Sequence, residues 1–528
     1  MKNRFLKFIG AVVGLLIVSS CDKNFEQMNI DPTKLSGANM NFNYVFTSAE
    51  LITSGNSDAN AYEDWRANLI YGSCITQHLS STTGYWAGDK YLFNAGYLSS
   101  YWDANYNNSI RNIVAVVENI KDDPKQSNFY QIARIFKAFM FQRMTDTYGN
   151  IPYSEAGLGY IKGITTPKYD DQQAIYDDLL AELKDAAEKL DANAPNTIGS
   201  SDLIYAGDPV KWKKFAYSEM VRLAMRLSKV DATKAEAWVK TAVDGGVFTS
   251  NDDNAILKHQ DASPNSSGGQ IANGTGSVLG LIDPTSARVS ETFINYLKNN
   301  DDPRLTYIAT VVADPTVATD MGDSDPAIQI GQPNGYDLAG GTTDISKAPN
   351  YPGDVNKYSV VNRTTFAKTT AATFFLTNSE TQLLLAEASF RGWISASSPD
   401  VYYRKGVVAA MTQLSQTGAS PGISDADAND YVDNNPYNGA DALNQINTQY
   451  WVATFLDELE SWANWRRSDF PVLTPVNYFG NATAGTIPRR YTYPNGEPAK
   501  NPVNYSDAVS KLIGKADKMT SRVWWDVE

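Results

Sequence analysis

Through the first half of the chain, apolar residues return every three or four positions, the period of a helix that buries one face. Ile110, Ile113, Val114, Val117 and Ile120 form one stripe, closed by Asp122-Asp123-Pro124. Ile132, Ile135, Phe136, Phe139 and Met140 form a second, which stops at Tyr148-Gly149-Asn150. A third covers Ala174–Leu190, with Asp170 as its expected cap. A fourth opens at Asp208-Pro209 and runs through Trp212, Phe215, Met220, Leu223 and Leu227, with Pro209 suited to the first helical position. Lys234–Asp244 reads as a shorter helix, and further helices are predicted at Ser379–Trp393, Pro399–Gln416, Ala440–Trp465 and near Asp507–Ile513. Between about 246 and 375 the period is lost, and Gly, Pro, Ser, Asn, Asp and Thr dominate. One helix, Ser290–Asn299, is predicted there among loops and short strands, and a stretch of that length without regular structure points to function.

Several helix pairs in succession suggest a tetratricopeptide-like stack, although the 34-residue signature is absent. Small residues at packing positions (Ala133, Ala138, Ala386, Ala388, Ala409 and Ala410) permit close helix crossings. The chain of 528 residues is too long for one simple core, so two or three domains or one extended helical assembly are expected.

The amino terminus follows another pattern. Lys2, Arg4 and Lys7 precede an apolar run from Phe8 to Val18, and Ser19-Ser20 lead into Cys21. That order is the layout of a secretory signal, and the run is too short to span a bilayer. Val18-Ser19-Ser20-Cys21 also matches a bacterial lipobox, in which cleavage leaves Cys21 lipidated as the first residue. Residues 1–20 are therefore read as a signal peptide and 21–45 as a lipidated, polar arm. Residues 46–528 are read as one domain: helical scaffold at 46–245 and 376–465, loop-rich insert at 246–375, and an irregular tail at 466–528.

Without Lys2, Arg4 and Lys7, the 45 basic residues fall to 42 against 59 acidic ones, a net charge of −17. Such a body repels phosphates, so a nucleic-acid partner is not expected. The chain has two cysteines, so a lipidated Cys21 leaves Cys74 without a partner, excludes a disulfide and excludes a cysteine zinc site.

Four stretches together resemble one family, the SusD/RagB nutrient-binding outer-membrane lipoproteins of Bacteroidota, in the branch called SusD-like type 2. They are Tyr130–Ala138 with Asp146–Tyr153, Trp212–Leu227, Asn378–Ala388 with Tyr402–Gly406, and Glu460–Arg467 with Ile487–Tyr491 and Arg522–Asp526. Asp302-Pro-Arg-Leu305 fits the same pattern. The resemblance implies a mainly α fold, a tetratricopeptide-like helix-pair scaffold with a loop-rich ligand-binding face. It also implies a non-catalytic cell-surface protein that captures an oligosaccharide and delivers it to a TonB-dependent, SusC-like transporter. A peptide ligand or a lipid-anchored glycoside hydrolase are the alternatives. No cofactor is expected.

Candidate chemistry is sparse. The histidines are His78 and His259; His78 is expected to have a structural hydrogen-bonding role. Asp457, Glu458 and Glu460 suggest a carboxylate pair, but Arg466 and Arg467 lie just beyond, and ion pairing is the better reading. Glu387 sits in an apolar helix and needs a partner if buried. Asp425–Asp430 begins like a calcium loop, but Asp430 replaces the required glycine, and a surface turn is expected. Asp320, Asp323 and Asp325 are a weak cation candidate, and no metal site is assigned. Aromatic loops carry the ligand expectation, because Trp and Tyr offer rigid faces to sugar CH groups. The segment Ser80–Tyr91 supplies Tyr85, Trp86, Asp89 and Tyr91, and the insert adds Tyr336 and Tyr351.

If Cys21 is the acylated residue, Cys21→Ala should abolish palmitate labelling and shift the protein from the membrane to the soluble fraction. Retained label in that variant would exclude the lipobox.

Overall fold

The structure, a computed structural model, describes residues 40–55, 64–260, 271–419 and 421–528. The signal 1–20, Cys21 and most of the 21–45 arm lie outside the described residues. The chain divides into two compact units, one ending at Tyr44 and one covering Val45–Glu528. Residues 40–44 of the first lead into helix α1 (Phe42–Thr53).

In chain order the second unit continues with α2 (Ala95–Ala104), α3 (Arg111–Ile120), α4 (Ser127–Tyr148), α5 (Gln172–Lys189), α6 (Pro209–Arg226) and α7 (Ala232–Gly245). After these come α8 (Glu291–Asn299), α9 (Asn378–Phe390), α10 (Pro399–Thr412), α11 (Asp425–Asn434), α12 (Ala442–Ala453), α13 (Glu458–Ser468) and α14 (Pro502–Lys511). Helix α4 packs on α5, α6 on α7, α9 on α10 and α12 on α13. Contacts of α5 with α6, α6 with α9 and α9 with α12 place the pairs in a tetratricopeptide-like stack, and α13 returns to α4. The mainly α fold is thus as the sequence implied.

Local chemistry starts these helices where it should. The Asp208 carboxylate accepts from the N–H groups of Val210 and Lys211, and Pro209 takes the first turn of α6. Thr377 and Glu380 make a reciprocal capping box at α9. Asp170, the expected cap of α5, instead sits in a short strand and accepts from Ser154; Asp171 holds the cap position. The single helix predicted over Ala440–Trp465 is two, α12 and α13. Leu456 breaks it at a positive φ of 69°, and Asn68 clamps the break, donating to Leu456 O (2.8 Å) and accepting from Glu458 N (2.9 Å). Asp425–Asp430, expected as a surface turn, opens helix α11, which is capped by Ser424.

Strands are short antiparallel pairs: β1 (Leu79–Ser80) with β5 (Arg288–Val289), β2 (Ile151–Pro152) with β3 (Tyr169–Asp170), β4 (Ala255–Leu257) with β8 (Thr373–Leu376), and β6 (Ala309–Thr310) with β7 (Val360–Val361). Through β1 the 246–375 insert is stitched to the helical part, and β4 with β8 ties together the insert's own two ends. The core is aromatic at one end, where Phe136, Phe139, Phe215 and Phe375 meet edge to face.

Its middle is ionic. Arg222 of α6 reaches Glu380 of α9 at 2.5 Å, and Arg226 bonds Glu460 of α13 and lies 3.3 Å from Asp146 of α4. Glu460 therefore does pair with an arginine, but across the stack rather than with Arg466 or Arg467. Burial pushes the nearby Glu219 carboxyl up to about 8. Glu387 takes two bonds from Arg467, both 2.7 Å, and another from Arg391. Burial alone would raise the Glu387 carboxyl, yet Arg467 and Arg391 hold it down to about 2. Residues beyond 519 close over α4: Trp525 Nε1 donates to Asp146 (3.0 Å), and Trp524 N donates to Gln172 of α5 (2.8 Å).

Because the folded Glu387 acid is depressed below its unfolded value near 4.5, its contribution is present above that pH and is lost as pH falls toward about 2. Glu387→Gln should cost about 3 kcal/mol at neutral pH in guanidinium melts, and the gap to the parent should shrink as pH falls through that window. A gap independent of pH would show that the pair carries no linkage.

Candidate ligand-binding face

The face is built on strand β1 and the loop after it. A π-helix, Trp65–Ser73, leads into this segment, and a 3-10 turn over Ala87–Lys90 lies against its backbone. That close approach requires Gly88, where a Cβ would stand 2.2 Å from Ile70 O and 2.5 Å from Tyr71 Cα.

Tyr85 is 41% exposed, whereas Trp86, Asp89 and Tyr91 are fully buried. Asp283 organises the first two: its Oδ2 accepts from the Tyr85 hydroxyl (2.6 Å) and from Trp86 Nε1 (3.0 Å), while Ser286 donates to Oδ1. Trp65 meets the Tyr85 ring edge to face at 6.2 Å. Burial, followed by the hydrogen bond to Asp283, pushes the Tyr85 phenol up to about 12, so it stays protonated. Leu281 and Ile282, just before Asp283, are about half exposed.

Asp89 acts beneath the surface as a backbone organiser. It accepts from Ser81 N (3.2 Å), Asn334 Nδ2 (2.7 Å) and Gly335 N (2.8 Å), which fastens the Tyr85 loop to the loop carrying Tyr336. Lys90 closes the arrangement by donating to Ser81 O at 2.7 Å. Tyr91 adopts a positive φ of 52°; its carbonyl accepts from Ala482 N, and its hydroxyl accepts from Val476 N. Tyr336 and Tyr351 are half-buried and pack on Ile345, Ala348 and Tyr358, a small cluster of their own. Of the expected contacts, then, Tyr85 is partly exposed, Tyr336 and Tyr351 are half-buried, and Trp86, Asp89 and Tyr91 support from below. As the face stands, a fully buried indole has no surface to offer a ligand.

Sequence reasoning passed over Trp65, Asp283 and the 472–482 loop. There Tyr478 donates to Asp337 (2.6 Å), and Phe479 is 93% exposed. Tyr478-Phe479-Gly480-Asn481 carries the same cue as the Tyr85 loop, aromatics bounded by turn residues.

The other candidates are structural. His78 is buried, stacked on Trp451 at 4.6 Å, with Nδ1 2.8 Å from Glu458. Asp457 pairs with Arg143 at 2.8 Å. Burial draws His259 down to about 4, so its ring is neutral at physiological pH. Asp320 accepts from Ala313 N, Asp314 N and Gly322 N, which closes its loop. Among the described residues, no group of three or more His, Cys, Asp or Glu side chains could hold a metal ion. Cys74 is a free, fully buried thiol, pushed up by that burial.

A family model named SusD-like, described as starch-binding and associating with the outer membrane, matches residues 41–494. Among solved structures the chain is similar to a chitin-binding protein, at 34% identity and a TM-score of 0.80, covering 92% of this chain and 100% of that one. A Bacteroidetes AC2a SusD-like protein is 27% identical, with a TM-score of 0.78 over 93% of this chain and 100% of its own. A SusD homologue from Bacteroides vulgatus, 23% identical with a TM-score of 0.74 over 92% and 97%, shares the fold. No curated protein matches the chain significantly.

Since Gly88 is what lets the loop lie on the π-helix, Gly88→Ala should lift it. The expected result is a red-shifted tryptophan emission, as Trp86 meets water, and a loss of about 2 kcal/mol or more in stability. An unchanged spectrum and melt would show that the loop is held by other contacts.

Proposed function

The chain belongs to the SusD-like family, and from that premise we propose that it captures a neutral oligosaccharide at Tyr85 and passes it, uncut, to a TonB-dependent outer-membrane transporter. The family binds glycans and associates with the outer membrane. The observation that supports the site is Tyr85: a partly exposed ring, held from below by Asp283 and from the side by Trp65. Its hydroxyl is already engaged, so the ring contributes a stacking surface rather than a hydrogen bond. A ring fixed before the ligand arrives loses little entropy on binding. Leu281, Ile282, Tyr336 and Tyr351 extend the same reading to neighbouring apolar surface.

Capture without cleavage is supported by the state of the acidic groups. A glycosidase needs two carboxyls across the scissile bond, one acting as acid and the other as base or nucleophile. Asp283 and Asp89 are instead saturated with donors from their own chain. Attachment falls to the lipid on Cys21, with residues 21–45 as the tether of a single domain over 46–528. No helix among the described residues is long and apolar enough to cross a membrane. A tether of that kind keeps the binding face near its transporter at high effective concentration.

The family description names starch and the 34%-identical structure is chitin-binding, so maltoheptaose and chitohexaose are the probes to titrate calorimetrically. Tyr85→Ala is expected to weaken binding of the better probe by about tenfold, 1.4 kcal/mol, with no shortened product after prolonged incubation. Unchanged affinity in that variant would move the site elsewhere, and shortened products would make the protein a hydrolase.

A further inference from the structure

A cleft of about 580 Å³ opens between α8, α10, α11 and α12, well within the size range of small-molecule sites. It is built from different elements than the Tyr85 face. Its lining holds three tyrosines, five asparagines and two glutamines, with Asp441 as the one carboxylate and no lysine or arginine. We propose that this cleft is a second binding site, which takes a segment of a neutral, polyhydroxylated ligand on tyrosine hydroxyls and side-chain amides. The site rests on its own geometry; the choice of a glycan as its ligand rests on the function proposed above.

The polar groups are oriented from behind. Arg304 of the Asp302-Pro-Arg-Leu305 motif is buried and forks onto Asp302, with Nε 2.9 Å from Oδ1 and Nη2 2.5 Å from Oδ2. Nη2 also donates to Gln449 Oε1 at 2.7 Å, which fixes the direction of that amide. Gln449 Nε2 then donates to the hydroxyls of Tyr296 (3.1 Å) and Tyr431 (3.2 Å). Each hydroxyl accepts at that point, so the pair keeps a proton to give into the cleft. Burial pushes the Tyr296 phenol up to about 12, and both hydroxyls remain donors at neutral pH.

Tyr403 supplies the observation that points to a ligand. Its side chain is 2% exposed and it lines the cleft, yet its hydroxyl has no hydrogen-bond partner among the described residues. That oxygen is not sealed from solvent, so it is open to bond a ligand oxygen in the cleft. At the rim, Asn438 accepts from Ala440 N through Oδ1, and its NH₂ group stays free for a ligand oxygen.

The chemistry of the lining selects the class. With no cation, it does not favour phosphate or carboxylate, and a single carboxylate is a poor site for a metal. A peptide would need pockets for apolar side chains, whereas Pro436 and Pro471 are the only apolar residues present. Amides and phenols in alternation match a ligand that is itself rich in donors and acceptors.

Hydrogen-exchange mass spectrometry on the full chain tests this, with maltoheptaose and chitohexaose as probes in a Tyr85→Ala background. We expect one of them to slow exchange across residues 431–449 by about threefold or more. Tyr403→Phe combined with Asn438→Asp should cancel the effect; the first removes a hydroxyl with no partner in the chain and the second keeps the oxygen that accepts from Ala440 N, so folding should survive. Unchanged exchange at 431–449, while the parent protein is protected around residues 81–91, overturns the cleft and leaves the Tyr85 site standing. Protection at 431–449 without any at 81–91 supports the cleft and removes the Tyr85 site. Protection by a tryptic peptide mixture but by neither sugar overturns the ligand class proposed here.

Discussion

Arginines buried between helices set the terms of this fold. Arg222 and Arg226 sit one turn apart on α6, and their partners come from α4, α9 and α13. A guanidinium taken out of water must find carboxylates at the right distance and angle, or its desolvation is not offset. Helices α4, α6, α9 and α13 can therefore pack in one register only. Charge balance follows the same logic. Burial pushes the Glu219 carboxyl up to about 8, while Asp146, Glu380 and Glu460 are the carboxyls that face Arg222 and Arg226. Arg466 shares in that field through Asp146 and lies over the Trp462 ring at 4.0 Å, while burial draws it down to about 10. Burying charge is rarely the most stabilising choice, and what this set supplies is a unique alignment of four helices from distant parts of the chain.

The loop face repeats the device at smaller scale. Asp89 and Asp283 are carboxylates surrounded by donors, and each converts flexible backbone into a defined surface. Asp89 joins residues 81 and 334–335, which lie about 250 positions apart. Asp283 holds Tyr85 and Trp86 from the insert side. The helical stack thus supplies a back wall, and a few buried acids hang the surface loops on it. In the second cleft Asp302 plays the corresponding part through Arg304 and Gln449. Three buried acids decide where the tyrosines around them stand.

Much of the scaffold was readable because its signals are local. Asp208-Pro209 starts α6 by capping chemistry that needs no partner from elsewhere, and the 3.6-residue stripe of α3 records which side is buried. The break at Leu456 was not readable, since Trp451, Phe455 and Trp462 keep helical spacing straight through it. Its cause, Asn68, lies nearly 400 residues away. Glu460 shows the same limit: the need for a cation was evident, but its identity as Arg226 depends on how α6 meets α13. At the candidate site, composition pointed to a loop and did not separate its exposed ring, Tyr85, from its buried one, Trp86. Neighbouring aromatics at 85 and 86 both reach one oxygen of Asp283, about two hundred positions later, yet only the first is left exposed.

Trp524 and Trp525 complete the surroundings of Asp146 and Gln172, which belong to the first helix pair of the stack. Tyr491 N likewise donates to Thr147 O. The first pair is therefore finished by segments more than 350 positions later in the chain. During synthesis, α4 and α5 stand beside an incomplete polar core, and their low-energy packing has to wait until those segments emerge. A molecule ordered in this way stays unlocked until its distant parts arrive, the condition in which a chain can be threaded end-first through a narrow pore.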